Sequence, residues 1–207
     1  FNAMILLTND DGFHAPGLRA VWDALSPITE TIIVAPESEQ SAVGHAITLA
    51  TPLKVKEMFE GERRMGYAVA GTPADCVKIA VTELLPEPPE LVISGVNQGS
   101  NMGSCVIYSG TVSAATEAAM MGVPSVAVSL NSWENQDFSA AAEFILKFYP
   151  VVLKNPLPEG IALNVNVPAI PRDQIKGVAV TRQGKSRVIE AFDKRKDPRN
   201  NAYYWLA

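Results

Sequence analysis

Short apolar runs that stop at polar, glycine-rich loops recur along the chain, with stretches of helical periodicity between them. Ile5, Leu6 and Leu7 form the first run, which ends in Thr8, Asn9, Asp10, Asp11 and Gly12. A strand buried on both faces reads this way. Pro16 then opens a helix whose apolar face carries Leu18, Val21, Trp22 and Leu25, with proline at a position where its missing N–H costs nothing. Thr31 to Ala35 is a second β-rich run, stopped by Pro36. Strand, helix and strand in such a short span predict a parallel βαβ unit.

The pattern then repeats. Thr72 and Pro73 start a helix as cap and first residue, with Asp75 in the first turn and Val77, Val81 and Leu84 on its buried face. Prolines 86, 88 and 89 end it. Leu91 to Ser94 is another short buried strand running into a loop rich in Gly and Asn. Ser109 to Met121 is an alanine-rich helix closed by Gly122 and Pro124. A strand over Ser125 to Ser129, a helix marked by Ala141, Phe144, Ile145 and Phe148, and a strand over Ala162 to Val167 complete the alternation. Such an order predicts an α/β three-layer fold on a mainly parallel sheet. Residues 45–70 depart from it, alternating at Ile47, Leu49, Leu53, Val55, Tyr67 and Val69 like a β-hairpin excursion.

Residues 4–171 thus read as one core. From residue 172 the chain turns basic, with Arg182, Lys185, Arg187, Lys194, Arg195, Lys196 and Arg199, and reaches the aromatic cluster Tyr203, Tyr204 and Trp205. This stretch is either an arm that packs on another subunit or a solvated extension. Asn2 and Ala3 ahead of Met4 read as a cloning remnant, making Met4 the expected native start.

Composition narrows the classes. Of 207 residues, 47% are hydrophobic and 19% charged, as in an ordered globular protein. A net charge of −5 argues against a surface that coats a nucleic acid polymer. No run reaches the ~18 apolar residues a membrane helix needs, so a cytoplasmic protein is expected. Cys76 and Cys105 have no metal-ligand spacing, suggest no disulfide framework and read as buried small residues.

Candidate chemistry lies where parallel strands end, since ligands of open α/β sheets bind there. Three polar loops qualify: 9–12, 36–41 and 94–101. Asp10 and Asp11 are the sharpest feature. Adjacent carboxylates at a buried strand end repel unless a cation compensates, and hard oxygen ligands suit Mg²⁺, Mn²⁺ or Ca²⁺. The structural alternative is common turn chemistry, with Asp10 capping the helix and Asp11 beside Gly12. Ser41 and Asn97 offer neutral oxygens on the same rim. Ser109, Gly110 and Thr111 place small groups where a helix begins, a site for a phosphate or simply a serine cap. His14 and His45 are weaker candidates for a proton-transfer role.

These segments resemble a known family. Met4 to Gly12, Ala35 to His45, Gly71 to Val77, Ser94 to Asn101 and Tyr108 to Val112, with Asp197 to Arg199 and Tyr203 to Trp205, are similar in order and position to the survival protein SurE family. The resemblance implies a metal-dependent phosphomonoesterase acting on nucleoside 5′- and 3′-monophosphates, with short polyphosphate as a further substrate. It implies one divalent ion per subunit, Mg²⁺ or Mn²⁺ with Ca²⁺ as a stand-in, held by Asp10, Asp11, Ser41 and Asn97. Asp10 or Asp11 would be catalytic, and Asn9, Asn101, Ser109, Gly110 and Thr111 would meet the substrate. It further implies a Rossmann-like core with a projecting β-hairpin and a C-terminal arm exchanged within a homodimer or homotetramer. Family members continue beyond the Tyr-Tyr-Trp-Leu segment, so the arm, residues 172–207, is expected to be incomplete here. The rival expectations are a nucleotide-binding module without chemistry and a protein-binding role for the basic tail.

Overall fold

Ile5, Leu6 and Leu7 have no exposed surface because β1 (Ile5–Thr8) lies at the centre of a seven-stranded sheet. The computed structural model describes residues 3–155, 157–186 and 191–206; Asn2 and Arg187, named in the sequence reading, and the last residue of the 172–207 arm lie outside them. The remaining strands are β2 (Thr31–Pro36), β3 (Val55–Glu60), β4 (Arg63–Val69), β5 (Leu91–Gln98), β6 (Ser125–Asn131) and β7 (Ala162–Pro168). They stand in the order β3-β4-β2-β1-β5-β6-β7, and every pairing is parallel except β3 with β4.

Side chains alternate across this sheet. Ile5 and Leu7 face α1 (Pro16–Leu25) and α5 (Ser139–Lys154), while Leu6, Val34 and Val92 face α2 (Pro73–Ile79) and α4 (Gly110–Met120), which follows the short α3 (Cys105–Tyr108). The result is a Rossmann-like three-layer α/β sandwich. Each fully buried aliphatic side chain contributes roughly 1.5–3 kcal/mol of hydrophobic stabilisation. Layer spacing is tight at the start of α1, where a Cβ on Gly17 would fall 2.0 Å from the Val96 carbonyl oxygen. Thr72 caps α2 in a reciprocal capping box with Asp75, as the Thr-Pro-x-Asp order predicts. The last turn of that element is a π-helix over Ala80–Leu84, which ends just before Pro86.

The β-rich stretch at 45–70 divides in two. Strands form only from Val55 onward, and β4 pairs with β2, so the hairpin extends the main sheet at its edge. Residues 37–54 are an irregular excursion on which Ile47 and Leu49 are exposed. Apolar alternation there has no neighbouring strand to pair with among the described residues. In the tail, β8 (Phe192–Lys196) and β9 (Ala202–Leu206) make a separate antiparallel ribbon with all ten strand residues exposed. Among the described residues no helix is long and apolar enough to cross a membrane.

The chain runs from β1 outward to β2 and β4, then crosses back to place β5 on the other side of β1. The crevice beyond the ends of β1 and β5 is therefore the sheet's switch point, where ligands of such folds bind.

Candidate functional site

Asn9 shapes the loop at that crevice. Its side-chain amide donates to the Gly12 carbonyl at 3.0 Å and accepts from the Gly12 N–H at 3.2 Å. Gly12 has φ +101°, and a Cβ there would crowd Ser38 and Glu39 at 3.3 Å, so glycine is required twice over. The helix that follows is capped by Ala15 with no side-chain bond. Asp10 is thus not a cap, and the turn-chemistry alternative does not describe it.

Asp10 is 6% exposed. Burial raises its carboxyl pKa, and hydrogen bonds from Thr111 and the first turn of α4 only partly offset that. The Thr111 hydroxyl donates to Asp10 Oδ1. The N–H groups of Gly110 and Thr111 face the same carboxylate, so the anion addressed by the α4 N-terminus is Asp10 itself. Asp11 is half-buried, and its pKa is pushed up to about 7 by burial first, then by the charges of Asp10 and Glu39, against a backbone hydrogen bond from Gln98. Among the described residues no Lys, Arg or His pairs with either carboxylate.

The other loops close on this pair. The Gln40 N–H donates to the Asp10 carbonyl at 2.7 Å, bringing the Ser41 turn onto the rim, and the Ser41 hydroxyl meets Glu39 Oε1 at 2.5 Å. Asn97 gives its amide N–H to the Gly99 carbonyl at 2.7 Å. That bond fixes which way the amide points and leaves its carbonyl oxygen for another partner. Below the loop, Thr8 and Ser94 sit opposite each other in register, and their buried hydroxyls have no hydrogen-bond partner among the described residues.

This donor set fits a hard divalent cation. Two carboxylates made costly by burial and mutual repulsion, an amide oxygen unpaired among the described residues and a nearby hydroxyl suit an ion that prefers oxygen. Among the described residues no three His, Cys, Asp or Glu side chains converge as a metal cluster, so the neutral oxygens matter. Beside the rim lies a cavity of about 320 Å³, lined by Ser38, Gln40, Thr48 and Thr72 among others. That is the size range of small-ligand sites.

The remaining sequence candidates have structural partners. Asn101 is buried, donates to Ser129 Oγ at 2.8 Å and receives Asn164 at its carbonyl. Ser109 is the N-cap of α4 and accepts from the Val112 N–H. Gly110 lies against Asp10, with no room for a Cβ. His14 is exposed and stands edge-on to Phe13, while His45 reaches Glu117. Cys76 is buried and Cys105 only partly so. Sequence reading missed Glu39, although it lies within the loop that carries Ser41. It also missed Glu117, whose position on an alanine-rich helix gives no sign of its partners.

Fold and site together define an α/β protein with a carboxylate-lined crevice at the switch point of its parallel sheet. The chain belongs to the Survival protein SurE family, whose model matches residues 5–190. Proteins named 5′-nucleotidase SurE from Syntrophobacter fumaroxidans and Syntrophus aciditrophicus are each 56% identical to it over 202 residues. Both alignments cover 98% of this chain, with 81% of the first relative and 76% of the second. The crystal structure of the SurE protein from Aquifex aeolicus superposes with a TM-score of 0.85 at 40% identity, covering 99% of this chain and 82% of that one.

Proposed function

We propose that the chain is a phosphatase of the nucleotidase class, hydrolysing nucleoside monophosphates at the Asp10–Asp11 rim. The observation that carries this reading is the pair of neighbouring carboxylates at the β1/β5 switch point, raised in pKa and without a cationic partner among the described residues. Membership of a family whose relatives are named 5′-nucleotidases supports it. Asp10, Asp11, Asn97 and Ser41 would hold one divalent ion, Mg²⁺ or Mn²⁺. A bound ion supplies Lewis-acid charge at the phosphate.

The protein groups divide the remaining work. Thr111 and the first turn of α4 hold Asp10 in place. Asp11, the more open of the two, is the candidate to accept a proton from the attacking water. The phosphate would lie beside the Ser109–Thr111 turn, whose first N–H groups serve Asp10, and Asn9 and Asn101 brace the loops around it. The adjoining cavity, lined by Glu37, Ser38, Gln40, Thr48 and Thr72 among others, would take the nucleoside. Both 5′- and 3′-monophosphates and short polyphosphate fit the same chemistry, since each presents a phosphate group to the rim. The exposed aromatics Phe192, Tyr204 and Trp205 support a tail ribbon that packs on a second copy in a homodimer or homotetramer. Free cysteines are consistent with a cytoplasmic protein.

A phosphate-release screen tests the reading. Nucleoside monophosphates and polyphosphate are each incubated with Mg²⁺, Mn²⁺, Ca²⁺ or EDTA. Release that depends on a divalent ion and is lost in Asp10→Asn is expected. No release from any nucleotide with any of the ions would overturn it.

A further inference from the structure

Glu117 is 3% exposed in the last turn of α4. An unpaired carboxylate buried there would be costly. Two donors meet it from two other elements: Lys78 Nζ of α2 at 2.5 Å and His45 Nε2 of the 37–54 excursion at 2.7 Å. Burial alone would raise the Glu117 pKa, but the hydrogen bonds from Lys78 and His45 and the charge of Lys78 outweigh it and hold the acid below the usual carboxylate range. Lys78 by itself supplies the opposite charge. His45 therefore does something that neutralising Glu117 does not require.

Its place in the chain shows what that is. His45 follows Ser41 by four residues, and the turn between them has few anchors. On the near side, the Gln40 N–H holds the Asp10 carbonyl at 2.7 Å. On the far side, the Gly44 N–H donates to the Tyr108 carbonyl at 3.0 Å, and His45 reaches Glu117. Between these anchors Ala42 and Gly44 adopt positive φ, 56° and 57°, a conformation that an alanine holds only when its surroundings impose it. Ser41 is itself exposed and is tied to the rim through Glu39, whose charge acts on Asp11. Both far-side anchors belong to the segment that leads into and forms α4, and the first turn of α4 holds Asp10 through Thr111. The continuous segment from α3 through α4 thus sets the position of both loops.

We infer that the His45–Glu117 contact is a positioning latch, which fixes the 41–44 turn so that the Ser41 hydroxyl stays at the Asp10–Asp11 rim. The latch rests on the phosphatase reading of that rim. His45 is a positioning residue and touches no reacting atom.

The test compares His45→Ala with His45→Gln, whose side-chain amide offers a donor at similar reach, each in wild-type and Ser41→Ala backgrounds. Mn²⁺ affinity is measured by titration calorimetry on the full chain, alongside phosphate release at saturating Mn²⁺ and the melting temperature. His45→Ala is expected to weaken Mn²⁺ binding about tenfold, the usual effect of losing an outer-shell partner. His45→Gln should restore it, melting should hardly change, and the loss should vanish when Ser41 is already alanine. A His45→Ala protein that binds Mn²⁺ like wild type overturns the latch, as does a loss that persists undiminished in the Ser41→Ala background. If His45→Ala fails to fold, His45→Gln against the shorter His45→Asn makes the same comparison. Wild-type protein that neither binds Mn²⁺ nor releases phosphate would instead sink the phosphatase reading, so the two failures are distinguishable.

Discussion

Thr111 donates its hydroxyl to the carboxylate of Asp10, a residue 101 positions earlier in the chain. The bond joins the first turn of α4 to the end of β1 and fixes the more buried member of the carboxylate pair. Removing the hydroxyl would leave a buried carboxylate oxygen without that donor, at a cost of about 1–3 kcal/mol. Thr111→Val is therefore expected to lower both Mn²⁺ affinity and phosphate release by roughly tenfold or more, whereas Thr111→Ser keeps them. Calorimetry and a phosphate assay on the two variants make the comparison.

Asp10→Asn separates chemistry from folding. Burial disfavours the charged form of Asp10, and a neutral amide of similar shape can still accept from Thr111. The metal-free variant should melt no lower than wild type while ion-dependent phosphate release falls by about a hundredfold or more. A variant that loses activity only by unfolding would contradict this.

Asp11 makes the stability of the metal-free protein depend on pH. Its carboxyl pKa rises from 3.8 to about 7 on folding. The folded protein therefore binds this proton more tightly than the unfolded chain does. The resulting stabilisation is complete below pH 3.8 and is lost as pH rises through about 7. In EDTA, Asp11→Asn should remove one downward slope in melting temperature between about pH 4 and pH 7. Adding Mn²⁺ to wild type at the upper end should raise its melting temperature, because an ion that binds only the folded state stabilises it. Calorimetric scans of both proteins, with and without the ion, measure each effect.

Gly110 tests how closely α4 meets the loop. A Cβ at that position would lie 2.6 Å from Asp10 Cβ and 3.0 Å from Pro73 Cγ. Neither neighbour can retreat freely, because Asp10 is held by Thr111 and Pro73 begins α2. Gly110→Ala should displace Asp10 and reduce phosphate release by about a hundredfold, the order expected for an ångström-scale misplacement of a catalytic group. Its melting temperature should fall as well.

Much of this architecture is legible in the chain. Buried parallel strands are continuous apolar runs, so Ile5 to Leu7 and Leu91 to Ile93 stand out, and Pro16, Thr72 and Ser109 mark helix starts that the structure confirms. The excursion was harder because its order comes from distant partners. Thr48 donates its N–H to Asp75 and Thr72 reaches the Ala46 carbonyl, contacts with no local periodicity. Ile47 and Leu49 therefore look like strand residues and are not. Asp10 and Asp11 were visible as an adjacent pair at a strand end. The unequal burial that distinguishes them depends on α4, whose approach no local pattern around residue 10 encodes. His45 and Glu117 lie 72 positions apart and become a pair only in the folded chain.

The central position of β1 also sets an order of events during synthesis. Ile5 to Thr8 are made long before their partners on one side, Leu91 to Ser94. Until then β1 has one open edge, and the acidic loop beyond it lacks Gln98, Gly110 and Thr111. A chain released before α4 is complete could contain both carboxylates and still have no site. Catalytic competence therefore reports that the two halves of the sheet have met, which makes phosphate release a late and sensitive marker of correct assembly.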